Sequence, residues 1–143
     1  MTPLAKTILQ DHEGKRLMPY VDTVGKTTIG WGRNLTDVGI SYDEALCLFN
    51  NDVVRAENDC YTHFSWFYAL DEVRREVITM LVFNLGIGGV LQFKRMAAAI
   101  ERGDWTGAAW ELSNSQWKTQ VGKERHDCLT SALEYGTWNK AVV

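Results

Sequence analysis

Two of the 18 acidic residues stand where a pair of carboxyl groups could do acid–base work. Glu13 precedes Gly14, at the expected end of a first helix. A helix C-terminus carries partial negative charge, which favours the protonated form of a carboxyl group placed there. A carboxylic acid that keeps its proton is what a general acid must be. Asp22 falls in a short polar turn between strand-forming residues, where turn N–H groups and water favour the ionised form. Two carboxyls in opposed protonation states are the pair that glycoside hydrolysis uses. Helix ends and turns also carry many acidic side chains that are only solvated surface, so the pairing alone leaves both readings open.

Other chemistries fail on spacing. Gly25-Lys26-Thr27 ends like a phosphate-binding loop, but that motif needs glycine at position 20, where Tyr20 stands. His12-Glu13 opens like a zinc-protease helix, but the second histidine would fall at Arg16. With three histidines, at 12, 63 and 126, and no cysteine at ligand spacing, no metal site is expected. No serine sits in a nucleophile elbow. No cofactor is implied.

The elements that must position the carboxylates are legible in outline. Thr2 as N-cap and Pro3 at the first helical position start a helix that carries Leu4, Ile8 and Leu9 and stops at Gly14. From Leu17 to Leu35 the pattern changes to strand formers (Tyr20, Val21, Thr27, Thr28, Ile29, Trp31) around a turn at Asp22 to Gly25, predicting a small antiparallel sheet. Ser41 and Glu44 form a capping box that opens a long helix reaching about Cys60. Everything after Leu70 looks helical. Val73, Val77, Met80, Leu81 and Leu85 make one stripe, broken by Gly86, Gly88 and Gly89. Asp104 caps a helix with Trp105, Ala108, Ala109 and Leu112, and a last helix stops at Gly136.

The fold class is therefore α+β. A small N-terminal lobe with a short antiparallel sheet is joined by a long helix to a larger all-helical C-terminal lobe. The 143 residues suit a single domain. We place the small lobe at about 13–60 and the helical lobe at about 61–143, together with the N-terminal helix 3–13. The formal charge is −3, from 15 Lys and Arg against 18 Asp and Glu. That excess lies wholly in residues 1–70, with six basic and nine acidic side chains. No basic footprint for nucleic acid or anionic membrane is present. The N-terminus lacks a continuous apolar segment, and no stretch reaches a spanning length, so no signal peptide and no stable membrane association are expected. Cys47, Cys60 and Cys128 read as buried, reduced thiols. Cys47 and Cys60 on one helix would lie about 20 Å apart, too far to bond.

Around the two carboxylates the residues form the pattern E-G-x5-Y-x-D-x2-G-x2-T-I-G-x-G, from Glu13 to Gly32. This resembles the phage-type lysozymes, glycoside hydrolase family 24, at each signature position. Downstream, Asp43-Glu44-Ala45 and Leu48 to Val53 are similar to the family's interlobe helix. Leu70 to Arg75 and Val82 to Gly86 are similar to its central helix. Trp105, Trp117 and Gly136-Thr137-Trp138 fit its C-terminal lobe. The resemblance covers nearly the whole chain.

The resemblance implies a lysozyme-like fold and a muramidase, an endolysin that cuts the β-1,4 bond between N-acetylmuramic acid and N-acetylglucosamine in peptidoglycan. It implies that Glu13 protonates the leaving oxygen and that Asp22 and Thr28 hold the attacking water, with inversion. It aligns Arg125 with an arginine that pairs with the catalytic glutamate, although a solvated arginine on the last helix would fit as well. Phe83 matches a cleft-floor aromatic and could equally be core. Asn34 takes a cleft position. Trp31 is the tryptophan best placed to stack on a sugar, with lobe packing as the alternative. Trp105, Trp110, Trp117 and Trp138 are expected in the core, and Trp66 is undecided. The expected partner is peptidoglycan, met by a monomer. The expected location is the host cytoplasm before lysis, with release to the periplasm by a separate membrane-permeabilising protein.

Overall fold

The structure, a computed structural model, describes residues 1–139. Helix α1 spans Pro3–Glu13 and is followed by strands β1 (Arg16–Val21), β2 (Thr27–Gly30) and β3 (Arg33–Asn34). Helices α2 (Tyr42–His63), α3 (Glu72–Val90), α4 (Lys94–Glu101), α5 (Trp105–Ser113), α6 (Trp117–Gln120) and α7 (Lys123–Tyr135) complete the order, with a 3-10 turn at Phe67–Ala69. The α+β architecture matches the sequence reading. The chain divides into two compact units, Met1–Leu48 and Phe49–Val143.

In the first unit the Thr2 side chain accepts from the Ala5 N–H and Pro3 follows, so α1 starts with the expected cap. Gly14 ends it at φ +71° and ψ 145°, a positive φ as expected, but outside the left-handed helical conformation. The sheet runs β1–β2–β3, antiparallel throughout. Its register pairs Val21 with Thr27, Tyr20 with Thr28 and Thr28 with Asn34, and slips between Arg16 and Tyr20. Pro19 lies in that interval and has no N–H to give a ladder, so the irregularity falls on an edge strand, where proline is tolerated. Thr28 is the unit's one buried side chain.

The capping box forms as expected, with Ser41 N–H donating to Glu44 Oε2 at 2.7 Å and Glu44 N–H to Ser41 Oγ at 3.2 Å. Arg33 extends it. The guanidinium grips both oxygens of Glu44, at 2.8 and 2.6 Å, and donates to Gly39 O at 3.2 Å. One carboxylate thus holds the start of α2 and the end of the sheet.

The second unit contains the continuous hydrophobic core, built from Ala56, Cys60, Val77, Ile78, Leu81, Leu112, Trp117, Leu129 and Leu133 among others. Its α3 bends where the glycines predicted a break, at Gly86 with φ +72°. Asp104 caps α5 by accepting from Gly107 N–H at 2.8 Å, and Gly136 closes α7 in the left-handed conformation. Arg74 ties three helices. It donates to Leu133 O at 2.8 Å and Glu134 O at 2.7 Å, the open carbonyls at the end of α7, and to Asp71 Oδ2 at 2.7 Å. Its guanidinium also lies 4.0 Å from the centre of the Trp105 ring.

Two expectations need correction. Trp110 is 60% exposed, because α5 turns Trp105, Ala108, Ala109 and Leu112 inward and position 110 falls outside that stripe. Of the cysteines only Cys60 is buried; Cys47 is exposed and Cys128 half-buried. Trp117 is buried, and Trp105 and Trp138 pack against the core as expected. Trp66 does so too, stacked on Phe64 at 4.7 Å. Among the described residues no single helix is long and apolar enough to cross a membrane.

Hydrogen bonding from Arg33, then from the Ser41 N–H, pulls the Glu44 carboxyl from its ordinary 4.5 to about 2. A carboxyl whose folded-state value is depressed stabilises the fold above its unfolded value and loses that contribution as pH falls through the folded one. Melting curves of wild type and Glu44→Gln should therefore differ fully above about pH 5 and converge as pH drops from about 4.5 toward 2. A gap that stays constant across that window would contradict this assignment.

Candidate active site

The hairpin between β1 and β2 is closed by one of its own side chains. Asp22 Oδ1 accepts from Val24 N–H at 3.0 Å and from Lys26 N–H at 2.8 Å. The Asp22 backbone completes the turn, donating to Lys26 O at 2.9 Å and accepting from Gly25 N–H at 3.1 Å. Gly25 sits at φ +83°, a conformation open to glycine at little cost. The turn N–H groups expected around this carboxylate are thus present, and both converge on a single oxygen.

The second oxygen of Asp22 faces the Thr28 hydroxyl at 3.5 Å. That hydroxyl also lies 3.2 Å from Lys26 O, the better acceptor by distance. A hydroxyl has one proton. When it goes to Lys26 O, Thr28 Oγ1 and Asp22 Oδ2 present two adjacent acceptors, which suits them to receive the two protons of one water. Thr28 is 4% exposed, so its rotamer is held by packing.

Glu13 is the last residue of α1, and its side chain is exposed. Its carboxyl group rests against the turn joining β2 and β3. A Cβ on Gly32 would lie 3.0 Å from Glu13 Oε2 and 3.7 Å from Cδ. Glu13, Asp22, Thr28, Trp31 and Asn34 all belong to the unit Met1–Leu48.

Trp31 sits beside Gly32, 48% exposed, and lines a shallow pocket with Ile29, Arg33, Ile40 and Glu44. Asn34 is occupied locally. Its amide donates to Asp37 Oδ2 at 2.9 Å and accepts from Asp37 N–H at 2.9 Å. Asp37 also pairs with Lys26 at 3.0 Å, a brace that the sequence reading missed. Phe83 and Arg125 belong to the other unit. Phe83 is 44% exposed and meets Phe49 with ring centres 5.7 Å apart, so it lies outside the core. Phe83 and Arg125 line one cavity together with Glu57, Glu76, Asn84 and Trp138, whose indole N–H donates to Glu76 at 2.7 Å. Among the described residues no group of His, Cys, Asp or Glu could hold a metal ion.

The double use of Asp22 Oδ1 makes a prediction about stability. Each backbone N–H bond to it is worth about 1 kcal/mol, so Asp22→Ala should lower the unfolding free energy by about 1–2 kcal/mol. Asp22→Asn keeps the amide oxygen as acceptor and should cost much less. Urea titration of both variants checks this, and equal losses would show that Oδ1 does not clamp the turn.

Comparison with known proteins shows the family. Residues 10–132 match the family model described as phage lysozyme. The chain is 30% identical to "Probable T4-type lysozyme 2" of Dictyostelium discoideum, over 96% of its own length and 97% of that protein. It is 30% identical to "SAR-endolysin" of Bacteriophage PS119, over 82% of the chain and 76% of that protein. It is also 28% identical to "Pre-baseplate central spike protein Gp5" of Enterobacteria phage T4, over 80% of the chain and 25% of that longer protein. A carboxyl at a helix end, a carboxylate clamped in a hairpin and a buried threonine beside it thus stand in a chain that belongs to the phage lysozyme family, a peptidoglycan-hydrolysing glycoside hydrolase of the muramidase type.

Proposed function

We propose that the enzyme cuts the β-1,4 bond between N-acetylmuramic acid and N-acetylglucosamine by a single inverting displacement. The observation that carries this reading is the divided use of Asp22: one oxygen is fixed by two backbone N–H groups, and the other is left beside the Thr28 hydroxyl. In this reading a water held by Asp22 Oδ2 and Thr28 Oγ1 attacks the anomeric carbon. As the glycosidic bond breaks, Glu13 gives its proton to the leaving oxygen, and Asp22 accepts the proton that the water loses. Solvent then takes the proton from Asp22 and returns one to Glu13, which is accessible in this unit. The product is the α-anomer of a new reducing end.

Trp31, exposed next to the turn that supports Glu13, is proposed to offer a face to a sugar ring. Phe83 and Asn34 are proposed as further substrate contacts and Arg125 as a supporting cation. We further propose that residues 1–143 act as one lysozyme-like domain and as a monomer. In this reading the enzyme accumulates in the host cytoplasm and reaches periplasmic peptidoglycan when a separate protein opens the membrane.

Clearing of permeabilised Gram-negative cells tests the reaction. Glu13→Gln should lose activity by about 100-fold or more while melting like wild type, since acid–base groups contribute on that scale. Thr28→Val should retain the fold and lose activity, with the loss in kcat. Proton NMR of early product should show the α-anomer; a β-anomer or an anhydro end would overturn the inverting mechanism.

Arg125 makes a separate prediction. If it supports the acid electrostatically, Arg125→Ala lowers activity and moves the pH–rate profile. If the profile stays in place, it is a solvated arginine.

A further inference from the structure

We propose that Gly32 is a positioning residue for the catalytic acid: its bare Cα is the seat on which the Glu13 carboxyl group rests. This rests on the reading of Glu13 as the acid. Two independent features mark the position. The backbone of Gly32 has φ +79°, which L side chains rarely adopt. A side chain there would also crowd the acid, its Cβ 3.0 Å from Oε2, so the carboxyl group would have to shift. Four other positive-φ glycines of this unit, Gly14, Gly25, Gly30 and Gly39, have no atom within 4 Å of where a Cβ would stand. Gly32 alone among these five is constrained by what lies against it as well as by its conformation.

The seat is held from behind. Gly32 lies between Gly30 of β2 and Arg33 of β3, which are locked by the Thr28–Asn34 and Ile29–Arg33 pairs. Arg33 is in turn gripped by both oxygens of Glu44 and by Gly39 O. A glutamate at the end of a helix has several torsions free to turn. The space over a bare Cα admits the carboxyl group in this orientation, and a side chain there would push it toward others. This limits where the proton can be delivered, and delivery to a glycosidic oxygen depends steeply on such placement.

The test compares Gly32→Ala with Gly103→Ala, a glycine of the other unit with φ +71° and no atom within 4 Å of where a Cβ would stand. Both place alanine at a positive φ, so both should lose stability to a similar degree, but only the first adds a methyl group against Glu13. On soluble peptidoglycan fragments Gly103→Ala should keep the wild-type kcat and pH–rate profile. Gly32→Ala should lose about tenfold to 100-fold in kcat with KM little changed, and the limb of the profile that reports the acid should move. If Gly32→Ala keeps the kcat and profile of Gly103→Ala, the proposal is overturned. Should Gly32→Ala fail to fold, the wild-type protein still decides the matter. Its Gly32 Hα resonances should titrate with the same midpoint as the Glu13 side-chain carboxyl, and that titration should vanish in Glu13→Gln. Hα shifts that do not follow Glu13 would overturn the seat. An active Glu13→Gln would instead remove the assignment of the acid, a separate failure.

Discussion

The first unit depends on the carboxylate of Asp22. A short hairpin needs its turn N–H groups satisfied, and here one side-chain oxygen satisfies two of them. That single act fixes the register in which Tyr20 faces Thr28 and Val21 faces Thr27. It also fixes which oxygen of Asp22 remains available, and places it beside the one buried hydroxyl of the unit. The group that closes the hairpin is thus the group whose other oxygen faces the Thr28 hydroxyl. In the proposed reading, fold and site share this residue.

The rest of the unit repeats this economy with charge. Glu44 caps α2 in the usual reciprocal way, yet its two oxygens also hold Arg33, and Arg33 adjoins the turn against which Glu13 lies. Exposed ion pairs add little stability by themselves. A bidentate pair that also terminates a helix and a strand does more to fix geometry than to add stability. In the helical unit Arg74 has the matching role, meeting the open carbonyls of α7 and the face of Trp105. There the surrounding apolar core does the larger share of the stabilising, and the arginine sets how the helix ends meet.

Much of this was legible in the residues. Thr2-Pro3, Ser41 with Glu44, Asp104 and Gly136 are local signals, because a cap acts on the N–H and C=O groups within one turn of itself. The sheet strands and the turn at Asp22 to Gly25 followed from residue types for the same reason. The break in α3 was visible as a glycine cluster, although which glycine bends was not. Less visible was which side of a helix meets the core. Trp110 looked like a core tryptophan by type and proved exposed by its angle around α5. Cys47 departed from expectation in the same way. The pairing of Asp37 with Lys26 carried no signal, since the two lie in different segments.

What the sequence determined alone is therefore the succession of first helix, small sheet, long helix and helical remainder, the capped ends at Thr2, Ser41, Asp104 and Gly136, and the spacing of Glu13, Asp22 and Thr28, all consequences of short-range backbone chemistry. What only the tertiary structure decided is how individual atoms are shared. It assigned Asp22 Oδ1 to the turn and Oδ2 to Thr28, gave Glu44 to Arg33, and set the Glu13 carboxyl against Gly32. These contacts join groups from different elements, where distances of a few tenths of an ångström depend on packing that residue types do not encode.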